Sequence, residues 1–234
     1  MQLFYTPYIQ TVQELPEEEA RHALRVLRLT EGDEIDLTDG KGFFYKAIIR
    51  SSNPKHCYVD ILSKQEPPPL WNFNLQIAVA PTKNIDRMEW FCEKSTEIGI
   101  NEITFLNCRF SERREVKIPR LEKILISAMK QSQKTTLPKL NGITDIQTFI
   151  KQSFNGRKFI AHCYDDEKKT LKQIYHPQEN ALILIGPEGD FSQEEVKAAL
   201  ENGFEPVSLG ESRLRTETAA LVATHTIHLL NQEK

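Results

Sequence analysis

The sequence lacks the cysteine pairs that would staple a small fold or hold a metal. Its four cysteines, Cys57, Cys92, Cys108 and Cys163, stand far apart with no two-residue spacing, which argues against a disulfide scaffold or a zinc site and leaves buried thiols. His162 and His176 flank Asp165 and Asp166 at a spacing that suits no helical ligand pair, so no metal is expected. No apolar run approaches the roughly 20 residues that cross a bilayer. The start, Met1-Gln2-Leu3-Phe4-Tyr5-Thr6-Pro7, has neither the basic region nor the apolar core of a signal peptide. The expected location is therefore the cytoplasm, with no membrane partner. A G-x-G-x-x-G after the first apolar strand is missing too, which removes support for a conventional dinucleotide fold.

A net positive charge is also absent, since the formal charge is −3, but the distribution is uneven. Residues 105 to 140 hold nine Lys and Arg against three Glu, a balance of +6, and the remainder stands at −9. One basic stretch of this kind is what phosphate binding by a single face requires, and a solvated charged helix gives the same run.

What is present is ordinary globular composition, 39% hydrophobic and 27% charged in 234 residues, enough for two domains. The first 66 or so residues read as a small β unit with one early helix. Pro16 suits a first turn, Glu17, Glu18 and Glu19 suit the positive end of the dipole, and Ala20, Ala23, Leu24 and Leu27 repeat at helical spacing up to Leu29. Arg21, Arg25 and Arg28 decorate that helix. Two strand-like runs, 34–38 and 43–49, flank Asp39-Gly40-Lys41-Gly42 as a hairpin, and a further strand fits Cys57 to Leu62. Glu66-Pro67-Pro68-Pro69-Leu70 extends neither a helix nor a central strand, so the expected domains are 1–69 and 70–234.

Beyond the prolines, strands and helices alternate. Strands are expected over 75–80, 102–106, 158–163, 181–185 and 207–209, and helices over 86–98 (ended by Gly99), 118–130, from Ser192 to about Asn202, and from Thr216, as N-cap, to about Leu230. Alternation of this kind predicts a parallel sheet with helices on both faces. Ligands gather beyond the carboxyl ends of such strands. Two glycine turns fall at such ends. Ile185-Gly186-Pro187-Glu188-Gly189 ends one apolar run, and Leu209-Gly210 ends another and leads through Arg213-Leu214-Arg215-Thr216-Glu217 into the last helix. Side by side, they would enclose a small ligand.

Those residues, with Thr218-Ala219, resemble the cofactor-binding signature of the SPOUT superfamily of RNA methyltransferases. More narrowly they resemble the ribosomal RNA small subunit methyltransferase E family, which methylates uridine N3 in 16S ribosomal RNA. The likeness runs nearly end to end: His22-Ala23-Leu24-Arg25-Val26-Leu27-Arg28-Leu29 with Gly32-Asp33 and Asp39-Gly40 resembles the family's N-terminal RNA-binding domain, and Glu93-Lys94-Ser95-Thr96-Glu97-Ile98-Gly99 its first C-terminal helix. One stretch departs: Lys130-Gln131-Ser132-Gln133-Lys134 carries a lysine where the family commonly has arginine, which keeps the charge and loses the planar fork.

The resemblance implies a PUA-like N-terminal β-barrel and a C-terminal α/β domain with a trefoil-knotted parallel sheet. It implies S-adenosylmethionine gripped by Ile185, Gly186, Pro187, Glu188, Gly189, Leu209, Gly210, Leu214, Arg215 and Thr216. A site that methylates uridine N3 needs a base or a cation to draw the proton away, for which Arg213 and Arg215 are the cation candidates. Glu217 is either an orienting group for Arg215, a base, or only a first-turn residue favoured by the helix dipole. The RNA contacts fall to Arg21, Arg25, Arg28, Arg109, Arg113, Arg114, Lys130, Gln131 and Lys134, with 16S ribosomal RNA or the small subunit as partner. Small residues over 216–223 suit a homodimer or ordinary core packing. Two other readings share the sequence: a SPOUT 2′-O-ribose methyltransferase, and a non-catalytic RNA-binding or assembly protein.

Overall fold

The computed structural model describes residues 2–165 and 167–232, so Asp166 lies outside the described residues. The chain divides into two compact units, Met1–Trp71 with Ile126–Leu137, and Asn72–Leu125 with Pro138–Lys234.

The first unit is built on a four-stranded sheet in the order β1 (Leu3–Tyr5), β2 (Glu34–Thr38), β3 (Phe44–Ile49), β4 (Val59–Gln65). The Asp39-Gly40 hairpin joins β2 to β3 as the sequence predicts. Asp39 Oδ1 accepts from Lys41 N at 2.8 Å, its Oδ2 accepts from Tyr45 Oη at 2.9 Å, and Gly40 takes φ +73°, which glycine adopts without strain. Burial, then the Asp39 carboxylate, pushes the Tyr45 phenol up to about 12. Residues 126–137 join this unit through Gly42 N to Thr135 O at 3.0 Å and Leu137 N to Gly40 O at 2.9 Å.

The early helix differs from the expectation. Helix α1 spans only Glu17–Arg21, and His22–Val26 is a wide π-type turn in which Leu27 N donates to His22 O at 3.0 Å. The extra residue shifts the apolar stripe. Ala20 and Ala23 are fully buried, whereas Val26 is 64% exposed and Leu27 39%, and Arg28 closes the turn at φ +58°.

The second unit holds a six-stranded, all-parallel sheet in the order β10-β8-β9-β5-β6-β7, where β5 is Leu75–Val79, β6 Glu102–Asn107, β7 Lys139–Asp145, β8 Arg157–Ala161, β9 Ala181–Ile185 and β10 Glu205–Val207. Every residue of β5 and β9 is buried, as strands covered on both faces must be. Alternate residues such as Ala78, Leu182 and Leu184 join Ile146, Phe149, Val196 and Ala199, which lie on helices α4 (Ile146–Phe149) and α6 (Gln193–Glu201). Helices α2 (Ile85–Ile98), α5 (Leu171–Ile174) and α7 (Thr216–Gln232) form the other layer, with α7 packed on β5, β9 and α2. Helix α3 runs over Ile118–Gln131.

Local signals explain the borders. Asn84 caps α2 by accepting from Asp86 N at 3.1 Å, and Gly99 ends it at φ +138°. Ser192 and Glu195 form a reciprocal cap at the start of α6. Strand β7 was not among the expected strands. It is an edge strand, only half-buried and interrupted by Gly142, so its pattern is weak. The last strand sits two residues earlier than the expected 207–209, because Ser208 leaves the sheet to pair with Thr170. Among the described residues no helix is long and apolar enough to cross a membrane.

Candidate functional site

Parallel pairing of β8, β9 and β10 puts their carboxyl ends on one edge, so the loops that follow them must meet there. Three hydrogen-bonded ties hold these loops. Asp190, at φ +66°, accepts from Cys163 N at 2.7 Å through Oδ2 and from Phe191 N at 2.8 Å through Oδ1, which joins the loop after β8 to the turn after β9. The Ser208 hydroxyl donates to Gly210 O at 3.0 Å and accepts from Gly210 N at 3.2 Å, shaping the turn after β10. The third tie joins the glycine turn after β9 to the start of the last helix: Thr216 Oγ1 donates to Gly186 O at 3.1 Å, and both residues are buried. Thr216 is thus the first residue of α7, its hydroxyl committed to the turn after β9, and not the N-cap the sequence suggests.

Two adjoining hollows lie between these loops, of about 680 and 300 Å³, sharing Ala161, Cys163, Ile185, Asp190, Arg213, Leu214 and Ala219. Cavities of this size take a ligand of nucleoside dimensions. The lining suits an adenosyl group. Apolar strand ends, Ala161, Ile185 and Val207, offer a surface for a purine, and among the described residues the backbone N–H and C=O of Leu209 and Leu214 make no hydrogen bond. A purine edge can take those groups.

The glycines earn their place in three ways. At Gly210 a side chain would meet open space, but φ +131° excludes other residues. At Gly186 a Cβ would sit 3.1 Å from the Phe191 ring and backbone, and at Gly189 3.0 Å from Phe110 Cβ. There the missing side chain makes room for the protein's own packing, not for ligand approach.

The charged residues divide into committed and free. Arg213 and Arg215 line the smaller hollow, are exposed, and among the described residues their side chains make no hydrogen bond or ion pair. Glu217 is buried in the first turn of α7, where Oε1 lies 3.7 Å from Arg87 Nε and Oε2 has no hydrogen-bond partner among the described residues. Its ion-pair partner is Arg87, not Arg215. Glu188 is exposed and accepts from Lys83 N at 2.9 Å, while Pro187 is buried. Cys163, exposed and not one of the buried thiols the sequence suggests, lines both hollows; desolvation by the surrounding loops and then the Asp190 carboxylate push its thiol up, with Arg213 opposing, so it is a thiol and not a thiolate at neutral pH.

The residues expected to touch RNA are placed as follows. In the first unit Arg25 and Arg28 are exposed and unpaired among the described residues, Arg21 pairs with Glu17 at 2.6 Å, Lys130 with Glu19 at 2.6 Å, Gln131 is exposed, and Lys134 is buried. In the second unit Arg114 is exposed and unpaired among the described residues, and Arg109 lies 3.5 Å from Glu194. Arg113 donates to Thr82 O at 3.0 Å and Lys83 O at 2.6 Å, so it braces the loop that Glu188 also holds. Sequence reasoning missed Asp190, Ser208 and Cys163. Only the β-to-loop position of Ser208 carried a signal, because the others depend on which strands become neighbours.

Residues 69–228 match the family described as RNA methyltransferase domain, and residues 15–62 match the RNA methyltransferase PUA domain. The ribosomal RNA small subunit methyltransferase E of Rickettsia conorii is 31% identical over 208 residues, covering 88% of this chain and 84% of that protein. Among solved structures, a probable rRNA-methyltransferase from Porphyromonas gingivalis aligns with a TM-score of 0.95 at 47% identity over 99% of both chains. The ribosomal RNA small subunit methyltransferase E of Neisseria gonorrhoeae bound to S-adenosyl methionine aligns with a TM-score of 0.87 at 30% identity over 98% of both chains.

Proposed function

Since the chain belongs to the ribosomal RNA small subunit methyltransferase E family, we propose that it transfers the methyl group of S-adenosylmethionine to N3 of a uridine in 16S ribosomal RNA of the small subunit. The observation that carries this reading is the Thr216–Gly186 hydrogen bond, which ties the glycine turn after β9 to the start of α7 beside one hollow. S-adenosylmethionine supplies an electrophilic methyl on a sulfonium that departs as a neutral thioether. The chain's own task is to bind, orient and exclude water.

In this reading Ile185, Gly186, Pro187, Glu188 and Gly189 form one wall of the cofactor site, and Leu209, Gly210, Leu214, Arg215 and Thr216 the other. Arg213 and Arg215, whose side chains have no hydrogen-bond or ion-pair partner among the described residues, hydrogen-bond the uridine O2 and O4 edge and stabilise the negative charge that develops when N3 loses its proton. Glu217, packed beside Arg87, sets the start of α7 and so the aim of Arg215 through the backbone. The functional domains in this reading are 1–69 and 70–234, with residues 126–137 of the second folding into the first compact unit. The path from β10 back beside the loop after β8 and into α7 supports the trefoil-knotted threading. The working form is a cytoplasmic homodimer. Ala220 and Ala223, fully buried within this chain, serve its own core, so the dimer rests on the family and on the remaining face of α7.

Calorimetry with S-adenosylmethionine and with its demethylated product, joined to mass spectrometry of nucleosides from small-subunit RNA, tests the proposal. N3-methyluridine made by the purified protein is expected. A 2′-O-methylated product, or no cofactor binding, overturns it.

A further inference from the structure

The lining shared by the larger and the smaller hollow is apolar or neutral except at Asp190 and Arg213. These two do not pair with each other. Among the described residues the Arg213 side chain has no partner, and the Asp190 carboxylate is bound only by backbone, at Cys163 N and Phe191 N. Both charges act at the junction, since the Cys163 thiol on that lining is pushed up by desolvation, then by Asp190, and drawn down by Arg213.

Asp190 is fixed in place. Its backbone takes φ +66°, a left-handed conformation that aspartate tolerates, and its two oxygens each accept one backbone N–H, at 2.7 and 2.8 Å. A carboxylate oxygen has two lone pairs, so each keeps an acceptor position, and the half-buried group has no cation paired to it among the described residues. The other charged groups around the hollows stand elsewhere. Asp165 and Glu211 are exposed and line only the larger hollow, as does Lys168, which donates to Tyr164 O and lies 3.4 Å from His162 Nδ1. Glu188 lines only the smaller one and accepts from Lys83 N.

A methyl group passed from an adenosyl ligand in one hollow to a base in the other must cross the lining they share, so the sulfonium that carries it belongs there. A cation against apolar strand ends is costly unless a counter-charge meets it. Arg213 repels such a cation, and Asp190 is the acid common to both hollows.

We propose that Asp190 receives the sulfonium of the cofactor, with Arg213 turned to the uridine, and that the site thereby tells S-adenosylmethionine from its demethylated product. The inference rests on the methyltransferase reading above and deepens it at the same site. The demethylated product is a neutral thioether and leaves Asp190 without a counter-charge, so it is the weaker ligand and exchange for fresh cofactor is favoured.

The test is calorimetry on the full chain with three ligands: S-adenosylmethionine, its demethylated product, and an analogue with a protonated amine in place of the sulfonium. The wild type is expected to bind both cationic ligands about tenfold more tightly than the thioether, as a half-buried charge pair falls between exposed and fully desolvated ones. Asp190→Asn keeps the side chain's shape, and Asp190→Gly suits φ +66°, so the two remove the charge in different ways. In both variants the preference for the cationic ligands is expected to vanish, whatever the absolute affinities become. A wild type without that preference overturns the sulfonium contact. So does a preference that survives both substitutions, with equal losses for all three ligands, which would assign Asp190 to the loops alone. A wild-type protein that binds none of the three overturns the underlying function instead, a result visible before any variant is made.

Discussion

Replacing Thr216 by Val removes the hydroxyl that joins the turn after β9 to the start of α7 while keeping the side chain's shape. Thr216 is 6% exposed and its bond to Gly186 O is 3.1 Å long, so the variant leaves a buried carbonyl without a donor. Such an orphan costs about 1–3 kcal/mol. If the loops separate in the free variant, closing them must be driven by cofactor binding, and the apparent affinity drops by the fraction of molecules still closed. The full bond energy sets the ceiling, so the Kd for the demethylated cofactor should rise by about 5- to 150-fold. Thr216→Ser keeps the donor and loses one methyl, about 0.8 kcal/mol of stability, with Kd close to wild type. Calorimetry gives the affinities, and thermal unfolding gives the stabilities, with about 2–4 °C expected for each kcal/mol in a domain of this size. A Thr216→Val protein that melts earlier yet binds the cofactor as tightly as wild type would show that the bond serves the fold alone.

Arg215→Ala should lower single-turnover methyl transfer by at least tenfold while changing cofactor affinity little, because the side chain has no partner among the described residues and only the developing charge depends on it; equal losses would assign it to cofactor binding. Alkylation of Cys163 should stay slow through neutral pH and accelerate only above the ordinary thiol range, since burial and Asp190 raise its pKa; Asp190→Asn should move that rise to lower pH, and bound cofactor should suppress it, both read by peptide mass. Gly186→Ala should destabilise the second unit by roughly 1–3 kcal/mol, as its Cβ meets the Phe191 ring and backbone at 3.1 Å, and calorimetric unfolding checks it. Tyr45 is neutral in the fold and has a raised pKa, so its contribution is intact below pH 10 and is lost as the pH climbs towards about 12. Tyr45→Phe should flatten the stability profile in that window, and an unchanged profile would refute the assignment.

The alternation of apolar runs and amphipathic stretches made the second unit legible, because β5 and β9 are buried on both faces and leave unbroken hydrophobic segments. Strong local chemistry was equally plain in Asp39-Gly40, Gly99 and Ser192, each of which satisfies backbone groups within a few residues of itself. Edge elements were harder. In β7, half-buried and broken by Gly142, and in β10, three residues long, pairing partners supply the definition and the local pattern does not. The π-type turn after α1 escaped because a helical repeat read by periodicity assumes a constant turn, and one inserted residue turned Val26 and Leu27 outward.

The site shows the same division more sharply. The sequence pointed to Gly186 and Gly210 as two turns that would together enclose a ligand. Only Gly210 fits a ligand-facing turn, with open space where its side chain would be. Gly186 and Gly189 are bare because Phe191 and Phe110 fill that volume. This changes what conserving the site requires. A substitution at Gly210 strains one exposed turn and leaves its neighbours alone, whereas one at Gly186 displaces Phe191, whose backbone N–H is held by Asp190, which in turn holds Cys163 on the far wall of the hollow. Gly186→Ala should therefore loosen cofactor binding through a chain of three residues. Gly186→Ala combined with Phe191→Leu, which returns the volume, should recover stability first and affinity only as far as Asp190 regains its grip on Cys163. Recovery of both in step would mean that the ring alone, and not the Asp190 tie, carries the coupling.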